Sequence, residues 1–82
     1  MKLHTLKIES VYYYEVDYGI KTFELRKNDR DYELFDLIHF VDTNSQDFKD
    51  NPGNVYQIIY ILKDVEKYGL DKDYCILGIK RL

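Results

Sequence analysis

Three charged side chains in the segment GIKTFELRKNDRD, from Gly19 to Asp31, are placed to form one binding site. Glu24 and Arg26 lie two residues apart, so in a strand their side chains share one face and start roughly 6–7 Å apart. We expect Gly19 to end a helix and to bring Lys21 to the start of the same strand. An arginine fork, a lysine point charge and a glutamate acceptor can together hold an anion or the polar edge of a base. The simpler alternative is that these are solvated charges on an edge strand.

The elements that must position these side chains follow from hydrophobic periodicity and turn residues. Ser10 can cap a short helix, and Gly19 is placed to end that helix in a left-handed conformation. The stretch from Asp42 to Asn54 is polar and is expected to be a long loop. In chain order, we predict a strand at His4–Ile8, a helix at Val11–Tyr18, and strands at Thr22–Lys27, Leu37–Val41, Val55–Leu62 and Tyr74–Lys80, with turns at Asn28–Asp31 and Asp64–Gly69.

The strand from Thr22 to Lys27 alternates, which assigns its side chains to two faces. Phe23 and Leu25 point one way, and Glu24 and Arg26 point the other way. We expect Glu24 and Arg26 to point outward and to form the wall of a cleft. Five strands with one early helix indicate an α+β, strand-rich fold, namely a small, partly closed mixed β-barrel, because closure protects strand edges.

The size and charge of the chain limit its ligands. Its 82 residues suffice for a single domain, spanning 1–82, with one core. The net charge of −3 argues mildly against tight binding to a long duplex. The charge is uneven: four basic residues and two acids lie between Lys21 and Arg30, whereas six acids and one lysine lie between Asp31 and Asp50. A small basic patch beside an acidic flank suits a compact anionic ligand.

The sequence carries no pattern for a metal site, a cofactor or a membrane anchor. His4, His39 and Cys75 lie far apart without ligand spacing, so no metal is expected. No phosphate loop or dinucleotide fingerprint is present, so no cofactor is expected. A lone cysteine excludes an internal disulfide, and no apolar run is long enough to span a bilayer. The chain is therefore expected to be cytoplasmic, without a membrane partner, and its oligomeric state stays open.

Other candidate residues have simpler interpretations. Tyr13 is expected to pack its ring in the core, and Cys75 to behave as a small buried apolar residue. For Tyr12 and Tyr14 two roles remain possible, namely packing in the core and stacking on unpaired bases.

The spacing Gly-x-Lys-x-x-Glu-x-Arg resembles the signature of ASCH domains, the activating signal cointegrator homology group of the PUA-like superfamily. The longer string KTFELRKNDRD is similar to a branch of small, uncharacterised bacterial and phage ASCH-like proteins. The resemblance covers nearly the whole chain apart from residues 43–54. It implies a PUA-like β-barrel with a cleft beside the helix and a role in binding RNA. By position, the cleft would be lined by Lys21, Glu24 and Arg26, with His4 and Lys7 as further members.

Two places depart from that family pattern. The branch often has a glycine before the aspartate that follows the charged string, where this chain has Phe35 before Asp36. We therefore expect a different turn there, or a Phe35 ring that covers part of the groove. The loop before the longest strand reads Asp50-Asn51-Pro52-Gly53-Asn54 instead of a basic Thr-Gly-Arg, which removes a phosphate contact.

These observations favour a non-catalytic module that binds RNA or a nucleotide in the cleft of Lys21, Glu24 and Arg26. The first alternative is an amidohydrolase that acts on an acylated, modified nucleoside, as some small ASCH relatives do, with Lys21 and Glu24 as catalytic residues. Glu24 falls where those relatives are expected to have a threonine, and a lysine beside a carboxylate is a poor base, so catalysis is not favoured. The second alternative is a protein-interaction domain of a mobile element that uses the acidic Asp42–Asp50 loop.

Overall fold

A computed structural model describes residues 1–44 and 54–82 of the chain. All of the predicted strands and the predicted helix are present, and a short 3₁₀ helix lies within the turn predicted at Asp64–Gly69. Residues 45–53 of the predicted loop lie outside the described residues. The elements are β1 (Leu3–Ile8), α1 (Ser10–Asp17), β2 (Phe23–Lys27), β3 (Leu37–Asp42), β4 (Val55–Leu62), the 3₁₀ helix (Val65–Tyr68) and β5 (Tyr74–Arg81).

The five strands form one mixed sheet in the order β1-β3-β4-β5-β2. The pair β1 and β3 is parallel, and the other three pairs are antiparallel. The sheet curls into a half-barrel, which leaves β1 and β2 as its two edges. The prediction of a small, strand-rich α+β fold with a barrel-like mixed sheet and one helix is confirmed at this level.

The core lies inside the half-barrel, where alternate positions of the strands meet. Tyr13 of α1 packs against this core, and Cys75 is fully buried in it, as predicted. Burial also raises the pKa of the Cys75 thiol. The buried apolar cluster consists of Leu6, Ile8, Val16, Tyr32, Ile38, Phe40, Tyr56, Ile58, Cys75, Leu77 and Ile79.

The helix α1 begins differently from the prediction and ends as predicted. Glu9 occupies the N-cap position without a side-chain cap, so the prediction that Ser10 caps the helix is wrong. The Ser10 hydroxyl instead donates a hydrogen bond to Asp42 Oδ1 at 2.6 Å, which links the helix to the end of β3. Gly19 follows the helix with φ +77°, a left-handed conformation that glycine adopts without steric cost. Within the described residues, no helix has the length and apolar character needed to cross a membrane.

Phe35 has a left-handed backbone, with φ +73°, in the turn that leads into β3. Its N–H donates to the carbonyl of Ile58 at 2.8 Å, and its carbonyl accepts from Gln57 Nε2 at 3.3 Å, so neighbouring β4 holds the turn in place. Half of the Phe35 side chain is exposed. A left-handed conformation costs a residue with a Cβ roughly 1–2 kcal/mol, which glycine avoids.

We therefore expect the Phe35→Gly variant to be more stable than the Phe35→Ala variant by about 1 kcal/mol, because both lose the ring but only glycine relieves the backbone strain. Urea denaturation of the two variants measures the difference. The same pair of substitutions at neighbouring Leu34, whose φ is not positive, provides the control, and there alanine should be at least as stable as glycine. A Phe35→Ala variant as stable as Phe35→Gly would contradict the claim that the backbone at residue 35 is strained.

Candidate functional site

Strand β2 turns its charged face inward, opposite to the expectation from its alternation. Glu24 is only 4% exposed, whereas Phe23 and Leu25 are 49% and 44% exposed. The register explains the inversion: Glu24 lies opposite Leu77 and Arg26 lies opposite Cys75 on β5. Cross-strand neighbours share a face, and Leu77 and Cys75 point into the core. The prediction that Glu24 and Arg26 point outward is therefore wrong.

The Glu24 carboxylate is held by one cation on each oxygen. Lys21 Nζ donates to Oε1, and Arg26 Nε donates to Oε2 at 2.5 Å. The side chains of Lys21 and Arg26 are themselves only 15% and 24% exposed. A buried carboxylate without such partners would be strongly destabilising, so the two cations compensate its burial.

Lys21 reaches this carboxylate because of the way α1 ends. After the left-handed turn at Gly19, the N–H groups of Ile20 and Lys21 both donate to the carbonyl of Glu15, at 2.9 and 3.0 Å. This folds the chain back against the last turn of the helix. Lys21 Nζ then lies 5.2 Å from the ring centroids of both Tyr12 and Phe23, within the range of a cation–π interaction.

Arginine side chains bridge the two edges of the half-barrel. Arg26 Nη2 donates to the carbonyl of Lys7 on β1 at 2.6 Å, while its Nε is bonded to Glu24. Arg30 Nη1 donates to the carbonyl of Thr5 on the same strand at 3.3 Å. Since β1 and β2 are not paired by backbone hydrogen bonds, these side chains satisfy edge carbonyls that a neighbouring strand would otherwise satisfy.

A groove of about 600 Å³ lies along this gap, and we call it the β1–β2 groove. Among the described residues, four cationic side chains and two carboxylates line it, which gives a local formal charge of +2 on a chain of net charge −3. Three aromatic rings also line it. The cations are Lys7, Lys21, Arg26 and Lys27, the acids are Glu9 and Glu24, and the rings are Tyr12, Phe23 and Tyr74.

Four of the five predicted ligand-binding residues thus come together: Lys7, Lys21, Glu24 and Arg26. Sequence reasoning missed Lys27 and Tyr74 and left Tyr12 undecided. It correctly assigned Phe23 to the strand face opposite Glu24 but did not expect it to line the groove. Lys27 and Tyr74 are cross-strand partners, so their joint position depends on a β2–β5 register that the sequence does not reveal. The Phe35 ring is not among the residues that line the groove, which argues against its covering role.

His4, the fifth predicted residue, lies in a different cluster. It is 7% exposed, its Nε2 is 2.8 Å from Asp36 Oδ2, and its ring lies 4.8 Å from that of Tyr32. The Asp36 carboxylate also accepts hydrogen bonds from the N–H groups of Lys2 at 2.9 Å and Glu33 at 3.0 Å. His4 does not line the β1–β2 groove, and its contacts are those of a structural residue.

The pKa of Asp36 reflects two opposed effects. Burial disfavours the charged carboxylate and by itself would raise the pKa. The hydrogen bonds from Lys2, His4 and Glu33 favour the charged form and outweigh burial, so the pKa is lowered from 3.8 to about 2. Asp36 therefore joins the start of β1 to the turn before β3 as an ionised group.

The described structure gives less support to the alternative functions. The mobile-element hypothesis requires the acidic Asp42–Asp50 loop, and residues 45–50 of that loop lie outside the described residues. For the amidohydrolase hypothesis, Lys21 and Glu24 do meet, but the groove has no serine, threonine or cysteine among its described lining residues. Within residues 1–44 and 54–82, no three His, Cys, Asp or Glu side chains cluster as metal ligands would.

We expect the Glu24–Arg26 pair to show strong energetic coupling in a double-mutant cycle. Arg26→Met should destabilise the fold by about 2–3 kcal/mol, because the buried carboxylate keeps only Lys21 as a partner. Adding Glu24→Gln should cost less than its effect in the wild-type background, with a coupling energy of about 1–3 kcal/mol. Urea denaturation of the wild type, both single variants and the double variant measures the cycle, and additive effects would contradict the pairing.

The lowered pKa of Asp36 predicts a specific pH dependence of stability. Because the folded pKa lies below the unfolded value, the stabilisation is fully present above about pH 5 and is lost as the pH falls toward about 2. The change amounts to roughly 2 kcal/mol. Asp36→Asn should be less stable at neutral pH and should lack this acid-sensitive component.

Urea denaturation across the acid range measures this component. Asp64→Asn is the matched control, since Asp64 is exposed and its side chain makes no hydrogen bond within the described residues. The control should keep the wild-type pH dependence. Equal acid sensitivity in the wild type and Asp36→Asn would show that Asp36 is not responsible.

Comparison with known proteins identifies the family but no named relative. A family model described as "Domain of unknown function (DUF3850)" matches residues 3–79, from the start of β1 into β5. No curated protein matches the chain. The match includes the described residues that line the β1–β2 groove and, of the Asp36 cluster, His4, Tyr32, Glu33 and Asp36. The chain therefore belongs to the DUF3850 family.

Proposed function

We propose that this domain is a non-catalytic binding module that accepts single-stranded RNA or a nucleotide in the β1–β2 groove. The observation that carries the proposal is a groove of formal charge +2, rimmed by aromatic rings, on a chain whose net charge is −3. Positive grooves with stacking rings are typical of proteins that bind unpaired nucleotides.

Two of the four cations are available for phosphate groups. Lys21 and Arg26 are engaged with Glu24, whereas Lys7 and Lys27 are exposed on opposite sides of the gap. Within the described residues, the ammonium groups of Lys7 and Lys27 have neither a hydrogen bond nor an ion pair. A phosphate between β1 and β2 would be in position to meet both.

The aromatic side chains supply surfaces for bases. Phe23, Tyr12 and Tyr74 are 49%, 44% and 38% exposed, although each also lines the groove. Stacking of a base on such a ring contributes about 1–3 kcal/mol. The Glu24 carboxylate and its two cations lie deeper in the groove than these rings. They would offer polar groups that can contact a base edge.

We also propose that the half-barrel is of the PUA-like, ASCH type. The strand-rich sheet with one N-terminal helix supports this assignment, as does the Gly19, Lys21, Glu24 and Arg26 spacing with its last three members in one groove. The same assignment keeps the amidohydrolase as the rival function, because Lys21 contacts Glu24. Incubation with N4-acetylcytidine, followed by chromatography, tests it, and unchanged substrate would remove the rival.

Fluorescence anisotropy with labelled oligouridylate at low salt tests binding. We expect the double variant Lys7→Ala/Lys27→Ala to bind more weakly and to lower the slope of log affinity against log salt by about 1.4, that is about 0.7 for each lost phosphate contact. Phe23→Ala should weaken binding by about 1–3 kcal/mol with little change in that slope, because stacking does not release counterions.

Lys72→Ala is the control, since Lys72 is an exposed lysine that does not line the groove. It should bind like the wild type. The proposal fails if neither RNA nor any nucleotide binds more tightly than the millimolar range, or if the Lys7/Lys27 variant binds as well as the control.

A further inference from the structure

A second groove of about 460 Å³ lies beside the end of α1. It runs between the residues that follow the helix, the middle of β4 and the end of β5. Tyr18, which is 75% exposed, lies on one side, and Ile59 of β4, which is 47% exposed, lies on the other. Lys80 and Arg81 of β5 also line it.

This second groove is also positively charged. Among the described residues that line it, Lys21, Lys80 and Arg81 are the cations and Asp17 is the single acid. One oxygen of this carboxylate, Oδ1, accepts a hydrogen bond from Asn54 Nδ2 and lies 3.5 Å from Tyr56 Oη. Arg81 donates to the backbone carbonyl of Asp17 at 3.2 Å through one nitrogen, and the side chains of Lys80 and Arg81 remain exposed.

The two grooves share Lys21, which lines both of them. The lysine lies between the rings of Tyr12 and Phe23 on the side of the first groove, with Gly19 and Thr22 next to it in the second. A ligand that follows both grooves would therefore pass Lys21, whose ammonium group is bonded to Glu24, at their junction. The ligand class that fits is a polymer with repeated negative charges and flat apolar groups, and single-stranded RNA has both.

We propose that single-stranded RNA bound in the β1–β2 groove continues past Lys21 into the second groove, so that the domain binds an oligonucleotide and not only one nucleotide. This inference rests on the proposed function. Phosphates of the extended strand meet Lys80 and Arg81, and the exposed Tyr18 ring offers a further stacking surface. A mononucleotide fills the first groove alone.

Affinity measured against RNA length tests the inference. Uridine mononucleotide, tetranucleotide and octanucleotide are titrated into the wild type, the Lys80→Ala/Arg81→Gln double variant and the Lys72→Ala control. The wild type should bind the octanucleotide much more tightly than the mononucleotide. The double variant should lose roughly tenfold in affinity for the octanucleotide, with a salt slope lower by about 1.4, and should bind the mononucleotide unchanged.

Unfolding curves of the double variant confirm that it folds, and Lys80→Ala alone should give a smaller loss in the same direction if the Arg81 substitution destabilises the protein. Wild-type affinity that does not rise with length overturns this inference while the proposed function stands. An equal loss for mononucleotide and octanucleotide also overturns it. Absence of binding at every length refutes the inference and the proposed function together.

Discussion

The buried carboxylate of Glu24 is the constraint on which the site depends. An ionised carboxylate in the interior is tolerated only when its oxygens are paired, and here Lys21 and Arg26 each take one. Lys21 can do so only because the chain turns at Gly19, after the end of α1, and folds back onto the carbonyl of Glu15. Arg26 can do so because it lies two positions along the same strand face. One buried charge thus couples the end of the helix to the orientation of β2.

The same arginine also accounts for the existence of a groove. Strands joined by backbone hydrogen bonds lie about 4.8 Å apart, with no space between them for a ligand. Here Arg26 and Arg30 satisfy carbonyls of β1 with side-chain donors, so the edges are bridged at a greater separation. The barrel therefore stays open between β1 and β2. The carbonyls of Thr5 and Lys7 on the β1 edge nevertheless have partners, which lowers the tendency of this strand to pair with another chain.

The order of the elements could be predicted because it depends on local patterns, namely the alternation in each strand and the glycine after α1. Which face of β2 is buried could not be predicted, because it depends on pairing with Cys75 and Leu77, which are about fifty residues away in the sequence. Ser10 has the right side chain for a cap, but its hydroxyl is taken by Asp42, a tertiary contact. The family resemblance assigns His4 to the cleft by position, whereas its contact with Asp36 places it in a structural cluster. Local propensity was overridden wherever a buried polar group needed a distant partner.

These contacts divide the groove into residues that build it and residues that are available to a ligand. Glu24 and Arg26 are bonded to each other, and Arg26 also to β1, so their spacing in the sequence is first of all a requirement of the architecture. Lys7 and Lys27 carry no such bonds within the described residues, and the rings at the rim are exposed. For the function proposed above, ligand choice therefore depends more on the rim than on the charged motif. It follows that two chains with the same Gly-x-Lys-x-x-Glu-x-Arg spacing can share the open half-barrel and still differ in what they bind, because a change at a rim position alters the ligand contacts without disturbing the buried carboxylate.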